Sequence, residues 1–186
     1  MKTIPIFVSK ETGNGLWSIQ MHNKPNSEFE AFFDLINDVE WLYHFFTYHI
    51  VDLNSGFFDD ITPEAAVLRT LDEAEEMEDS LYNYSELGFD NNDTNLQHLF
   101  KPLNNFEYVL VSHQKSKARI RNGWLRLYAI RLAENCYLVT GGAIKLTRDM
   151  KKMHLQAELK KINQACQFLR SNGIDYPEDL NTYTHE

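Results

Sequence analysis

The chain has 186 residues, 43% of them apolar, with 12 Phe, 9 Tyr and 3 Trp, which is enough for a packed core and excludes a chain disordered throughout. Its two cysteines form no CxxC pair and no cluster with histidine, which argues against a disulfide framework or a zinc site, and no run of ~18 apolar residues predicts a spanning helix. The formal net charge of -9 is uneven: residues 1–112 carry 5 Lys/Arg against 20 Asp/Glu, a formal -15, and residues 113–186 carry 13 against 7, a formal +6.

The opening MKTIPIFVSKETG has too short an apolar run for a signal peptide, so a cytoplasmic protein is expected. Residues 3–8 and 16–21 read as strands, and Gly13-Asn14-Gly15 between them predicts a hairpin. Pro5 marks the first as an edge strand. Ser27 with Glu30 forms a capping box, and Phe29, Phe32, Phe33, Ile36, Val39 and Phe46 predict one helix running to about residue 50. Its aromatic load exceeds one stripe, so burial on more than one side is expected. Thr62-Pro63 opens the next helix, with Val67, Leu71, Ala74, Met77, Leu81 and Tyr84 inward and Asp72, Glu73, Glu75, Glu76, Glu78 and Asp79 outward. Gly88 is its C-cap, and a polar loop over 89–95 follows.

After Pro102 the period shortens. Strands are predicted at 106–111, 124–133 and 136–140, with Glu134-Asn135 as a tight turn. Gly141-Gly142 bends or bulges the chain before residues 143–147 continue the sheet. Asp149 is a candidate cap for a last helix with the stripe Leu155, Leu159, Ile162, Cys166 and Leu169, ended by Gly173. Residues 174–186 read as a loose tail. The expected fold is α+β: an N-terminal hairpin and two helices, then an antiparallel meander of three to four strands and a C-terminal helix. It divides into an acidic helical region over 1–100, a basic meander with helix over 101–173 and the tail, in one compact unit.

Between Lys115 and Arg170 stand 13 cations and only three acids, Glu134, Asp149 and Glu158. Lys115, Lys117, Arg119 and Arg121 occupy alternate positions, which in an extended strand aligns four charges on one face. Trp124, Tyr128 and Tyr137 are interleaved with cations. Cations neutralise phosphates, and aromatic faces stack unpaired bases, worth ~1–3 kcal/mol each, so the pattern suits single-stranded RNA. Lys115, Lys117, Arg119, Arg121 and Trp124 are the candidate nucleic-acid contacts.

The run from Lys101 to Gly173 resembles the RelE/HigB group of toxins, the ribosome-dependent mRNA endonucleases. The resemblance rests on KPL, then an apolar strand and a basic turn. WLRLYAI resembles the family's central strand, and CYLVTGGAIKLTRDM its closing strand and basic end. A final helix with an internal Ala165 follows. It covers residues 101–173 only; the first 100 residues and the length of the basic turn from 113 to 123 depart from a compact toxin. The resemblance implies metal-independent RNA cleavage by attack of a 2′-OH on the adjacent phosphate, with no cofactor. It also implies RNA or a ribosome as partner, together with a small antitoxin-like protein. It assigns Arg126 to clamp the phosphate, Arg148 or Lys145 as the cation after the last strand, and Lys115 and Lys117 as the basic pair. One of these lysines, or His113, is the base, and Tyr128, on the same side of its strand as Arg126, stacks a nucleobase.

Plainer readings stand beside these. Arg126 can pair with Glu107 across the sheet, Tyr128 can be a core aromatic, His113 a loop residue and Lys145 an edge guard. Asp52, Asp59, Asp60 and Glu64 fit no calcium loop, and His44 and His49 do not share a helical face. No nucleotide-binding or hydrolase signature occurs. The competing functions are a non-enzymatic interaction module, whose acidic helix and basic sheet pair internally or with a partner protein, and an acidic N-terminal half docking on a basic protein. No membrane partner is expected.

Overall fold

The computed structural model describes residues 1–55, 58, 60–90, 93–104 and 111–184. Six strands form one sheet: β1 (Lys2–Val8), β2 (Gly15–Gln20), β3 (Phe100–Pro102), β4 (Gln114–Ala118), β5 (Leu125–Ala133) and β6 (Cys136–Ile144), in the order β1-β2-β6-β5-β4-β3. The hairpin forms as its turn predicts, with Pro5 on the edge strand and a register shift between Pro5 and Phe7. Gly15 sits at φ +128, and a Cβ there would lie 2.0 Å from the Phe7 carbonyl oxygen, so only glycine lets the strands close.

The sheet is mixed, not a purely antiparallel meander. β2 pairs parallel with β6, from Gly15↔Cys136 to Ser18↔Val139. The reason lies in β2, whose Leu16, Trp17 and Ile19 are at most 1% exposed and project to both faces. A strand apolar on both sides belongs in the middle of a sheet. The hairpin therefore extends the later strands rather than standing apart from them. Residues 136–144 form a single strand, bulged where Tyr128↔Gly141 is followed by Ala129↔Val139. β4 lies within the segment read as a basic turn, and the strand predicted at 106–111 falls, apart from Val111, outside the described residues.

Among the described residues five α-helices accompany the sheet: α1 (Glu28–Ile36), α2 (Val39–Tyr48), α3 (Ile50–Leu53), α4 (Pro63–Leu87) and α5 (Met153–Ser171). The helix predicted to run unbroken from Ser27 to about residue 50 is two, α1 and α2, with the short α3 following. It breaks at Asn37-Asp38, where Asp38 Oδ1 accepts the Trp41 N–H at 2.9 Å and restarts the chain as α2. Two helices present two stripes, Phe29, Phe32, Phe33 and Ile36 on one and Leu42 and Phe46 on the other, which solves the aromatic crowding. α4 begins at Thr62-Pro63 and ends at Gly88 as its sequence predicts. Glu73, expected on its outer face, is buried.

α1, α2 and α4 share a core with Trp124, Leu125, Leu127, Ala129, Tyr137 and Val139 on one face of the sheet. α5 and the C-terminal segment pack on the other face, against Trp17, Ile19, Tyr128, Ile130, Leu132 and Leu138. Both faces of β5 are therefore covered. α5 starts at Met153 without a side-chain cap; Asp149 instead accepts the Lys151 N–H at 3.0 Å. The tail is not loose up to Thr184. Residues Pro177–Tyr183 form 3-10 turns, Ile174 and Leu180 are fully buried, and Thr3 Oγ1 donates to the Leu180 carbonyl at 2.6 Å. No helix among the described residues is long and apolar enough to cross a membrane.

Candidate functional site

On the α5 face, a cavity of about 640 Å³ opens where β4 and β5 meet the loop after β6. Five cations line it: Lys117 on β4, Arg119 just beyond, Arg126 on β5, and Lys145 and Arg148 after β6. Leu103, Tyr128, Met150 and Leu159 make its apolar walls, with Asn104 and Thr147 at the polar margin. No carboxylate is among its described lining residues.

Strand register explains the convergence. Lys117 pairs with Tyr128, and Arg126 is two residues back on the same side of β5. Arg126 in turn faces Ala143, and the Lys145 N–H donates to the Trp124 carbonyl at 2.8 Å, which carries the β6 pairing two residues further. Lys145 Nζ then donates to the carbonyls of Thr147 at 2.5 Å and Arg148 at 2.8 Å. That staple folds the loop bearing Arg148 back over the cavity. Lys117 Nζ donates to the Leu103 carbonyl at 3.0 Å.

Arg126 is the floor of the site. It is 8% exposed, and its Nη1 donates to the carbonyls of Gly123 at 3.0 Å and Leu125 at 2.6 Å. Burial first and then Arg119 push its pKa down, opposed by Glu73 across the sheet. The Lys117 amine is pushed down by burial, then by Arg126 and Arg119. Lys145 is lowered by burial, then by Arg126 and Lys117, and Asp149 pulls the other way. Like charges thus face one another across the hollow. Such a cluster favours an anion that spreads charge over several oxygens, and it leaves two lysine amines easier to deprotonate than usual.

The predicted residues divide here. Lys117, Arg119, Arg126, Tyr128, Lys145 and Arg148 come together, and Arg126 and Tyr128 share a side as their parity predicts. The Tyr128 ring is 1% exposed and its hydroxyl lies 3.6 Å from Met150 Sδ, so it offers an edge rather than an open stacking face. Burial raises its phenol pKa above the ordinary range. Lys115 turns to α5 and donates to Asn163 Oδ1 at 2.6 Å. Arg121 is exposed in the turn that ends with Asn122 at φ +61, outside the cavity lining. Trp124 is fully buried on the opposite face, donating to Thr70 Oγ1 at 3.0 Å beneath the Arg69 guanidinium, so it presents no surface for stacking. His113 is taken up elsewhere: its Nε2 lies 2.7 Å from the Ile174 carbonyl and 3.5 Å from Asp175. Glu107, the alternative partner for Arg126, lies outside the described residues. Leu103 and Met150 were not singled out as site residues from the sequence, and Leu159 was read only as part of the inner stripe of the last helix.

The acidic helix α4 does not cover the cations. It lies on the far side of the sheet, and its one buried acid, Glu73, accepts the N–H groups of Trp124 at 3.1 Å and Leu125 at 2.7 Å. A second ionic cluster lies beyond Tyr128, at a cavity of about 430 Å³. There Lys161 pairs with Glu28 and, at 2.8 Å, with Glu158. Burial outweighs Lys161 and raises Glu158 to about 7. Gly141, at φ +149, makes room for it: a Cβ there would lie 1.9 Å from Glu158 Oε2. Among the described residues no group of three or more His, Cys, Asp or Glu side chains is arranged to hold a metal ion. Compared with family models, with curated proteins and with solved structures, the chain matches none.

Proposed function

We propose that this chain binds single-stranded RNA at the five-cation cavity and cleaves it as an endoribonuclease of the toxin type that residues 101–173 resemble. The observation that carries this reading is the convergence of Lys117, Arg119, Arg126, Lys145 and Arg148 on one hollow, while the acidic helix lies on the opposite face. A phosphodiester meets Arg126 and Arg119, which neutralise the charge that grows on the phosphorane. The Lys117 amine, its pKa lowered, takes the proton from the 2′-OH. The 2′ oxygen bonds to phosphorus, the bond to the 5′ oxygen breaks, and that oxygen takes a proton from Lys145. The products are a 2′,3′-cyclic phosphate and a 5′-hydroxyl. Each step uses a side chain already at the cavity. A small antitoxin-like protein would neutralise the same cations with carboxylates.

Induced expression, with growth and RNA integrity followed, tests the reading. Wild type is expected to arrest growth and cut RNA, and the Arg126→Ala, Arg148→Ala double variant to do neither. Because Arg126 is buried, Lys117→Met alone serves as the folded control, with RNA still bound but uncut. Intact RNA and unchanged growth with wild type would count against an endonuclease. Purified protein that also fails to bind RNA oligonucleotides would remove the nucleic-acid reading and leave the non-enzymatic interaction module.

A further inference from the structure

Lys115 stands two residues before Lys117 on the same side of β4, yet it reaches α5 rather than the cavity. Lys115 and Lys117, two apart on the strand, are separated by ~6.7 Å, and Leu159 and Asn163, about one turn apart on α5, by ~5.4–6 Å. Lys117 meets Leu159 at the cavity, and one step along the seam Lys115 meets Asn163. The series continues. The Cys166 thiol, pushed up by burial, is drawn back by both Lys115 and Arg170, so both cations stand beside that turn of α5.

The exposed side of α5 completes the surface. Gln156, Lys160, Asn163, Gln167 and Arg170 follow one another at helical spacing, and all five are exposed. None is acidic and none is apolar. The helix's one acid, Glu158, is buried and paired with Lys161.

We infer that the seam between β4 and α5 continues the binding site, and that an RNA strand held at the cavity lays its flanking nucleotides along Lys115, Asn163 and Arg170. The inference rests on the RNA reading above and adds the path and extent of the strand. Successive cations along one seam suit the repeating phosphates of an extended single strand. The carboxamides between them can donate to and accept from base edges and 2′-hydroxyls. A protein partner is disfavoured, because this stripe offers no apolar anchor for an interface core.

The test is binding of 2′-O-methyl oligouridylates of two, four and eight nucleotides, which cannot be cut, over a range of salt. Wild type is compared with Lys115→Gln, with Lys115→Gln/Arg170→Gln, and with Lys10→Gln, an exposed lysine at the far edge of the sheet. The loss in Lys115→Gln is expected to grow with length, from under about twofold for the dinucleotide to about fivefold for the octamer. The octamer's salt slope is expected to fall by about 0.7 for each cation removed. Lys10→Gln should change neither. Equal octamer affinity and slope in wild type and both seam variants would overturn the seam while leaving the cavity intact. The same losses against polyglutamate would also overturn it, by showing a non-specific charge effect. Failure of wild type to bind any oligonucleotide would instead remove the RNA reading itself.

Discussion

Glu73 and Arg126 are both buried charges that reach the same stretch of backbone, Gly123 to Leu125, from opposite faces of the sheet. Glu73 takes the N–H groups of Trp124 and Leu125, while Arg126 gives its hydrogens to the carbonyls of Gly123 and Leu125. Their surroundings differ. Glu73 lies within an apolar layer, where its charged neighbours Arg126 and Arg69 are opposite in sign. Arg126 opens onto a hollow where Lys117, Arg119 and Lys145 share its sign. A buried charge surrounded by complementary groups is a structural device. One held beside like charges has its charged form disfavoured by them.

The comparison breaks most directly at Glu73. Glu73→Ala leaves two buried N–H groups without acceptors, each worth ~1–3 kcal/mol, so a loss of about 4 kcal/mol is expected in denaturant unfolding. Removing the acid should cost stability while leaving the RNA affinity of the folded fraction unchanged. A small loss would show that water or a shifted side chain can replace the carboxylate, and the closed face would not be closed.

Glu158 sharpens the contrast through pH. Its folded pKa is raised from 4.5 to about 7, so between those values the folded state holds a proton that the unfolded state has released. Stability from this group is complete below about pH 4.5 and falls as pH rises through about 7, by about 3 kcal/mol. Glu73, also raised, acts in the same direction. Glu158→Gln should remove most of the slope between pH 4.5 and 7, read as unfolding free energy across that window. An unaltered slope would place the proton elsewhere.

Much of the scaffold was legible from local chemistry. The Ser27 and Thr62 caps, the Gly88 stop and the hairpin at Gly13 to Gly15 depend on neighbours within four residues, and all were found. The break at Asn37-Asp38 was missed because aromatic spacing continues through it, although Asp38 is itself a capping residue. The parallel pairing of β2 with β6 depends on residues about 120 positions apart, which no local pattern carries. Within the site, parity placed Arg126 with Tyr128 and set Lys115, Lys117, Arg119 and Arg121 alternately with buried Gln114, Ser116, Ala118 and Ile120. Parity fails at the strand's ends. Arg121 lies past the end of β4, and Trp124 enters the opposite core because the chain turns at Asn122-Gly123 before β5 begins.

Trp124 gives the next test. Trp124→Phe removes the hydrogen bond to Thr70 Oγ1 and some core volume, for an expected loss of about 1–2 kcal/mol. RNA affinity should stay within twofold, because the indole lies on the closed face. A large fall in affinity with unchanged stability would mean that the ring reaches the nucleic acid and that the two faces are not separate.

The smallest effect carries the opposite sign. Arg119 is exposed at the rim and lowers the pKa of both Lys117 and Arg126. Arg119→Gln relieves that repulsion, so the free protein should gain a few tenths of a kcal/mol, within the ~0.2–1 kcal/mol range of exposed charge interactions. RNA binding should weaken in the same variant, and the stability gain should shrink at high salt. A cation kept only for folding would behave otherwise: its removal would lower stability and leave binding alone. Gain of stability together with loss of affinity is what the proposed anion site demands, and one pair of measurements on one variant decides between the two.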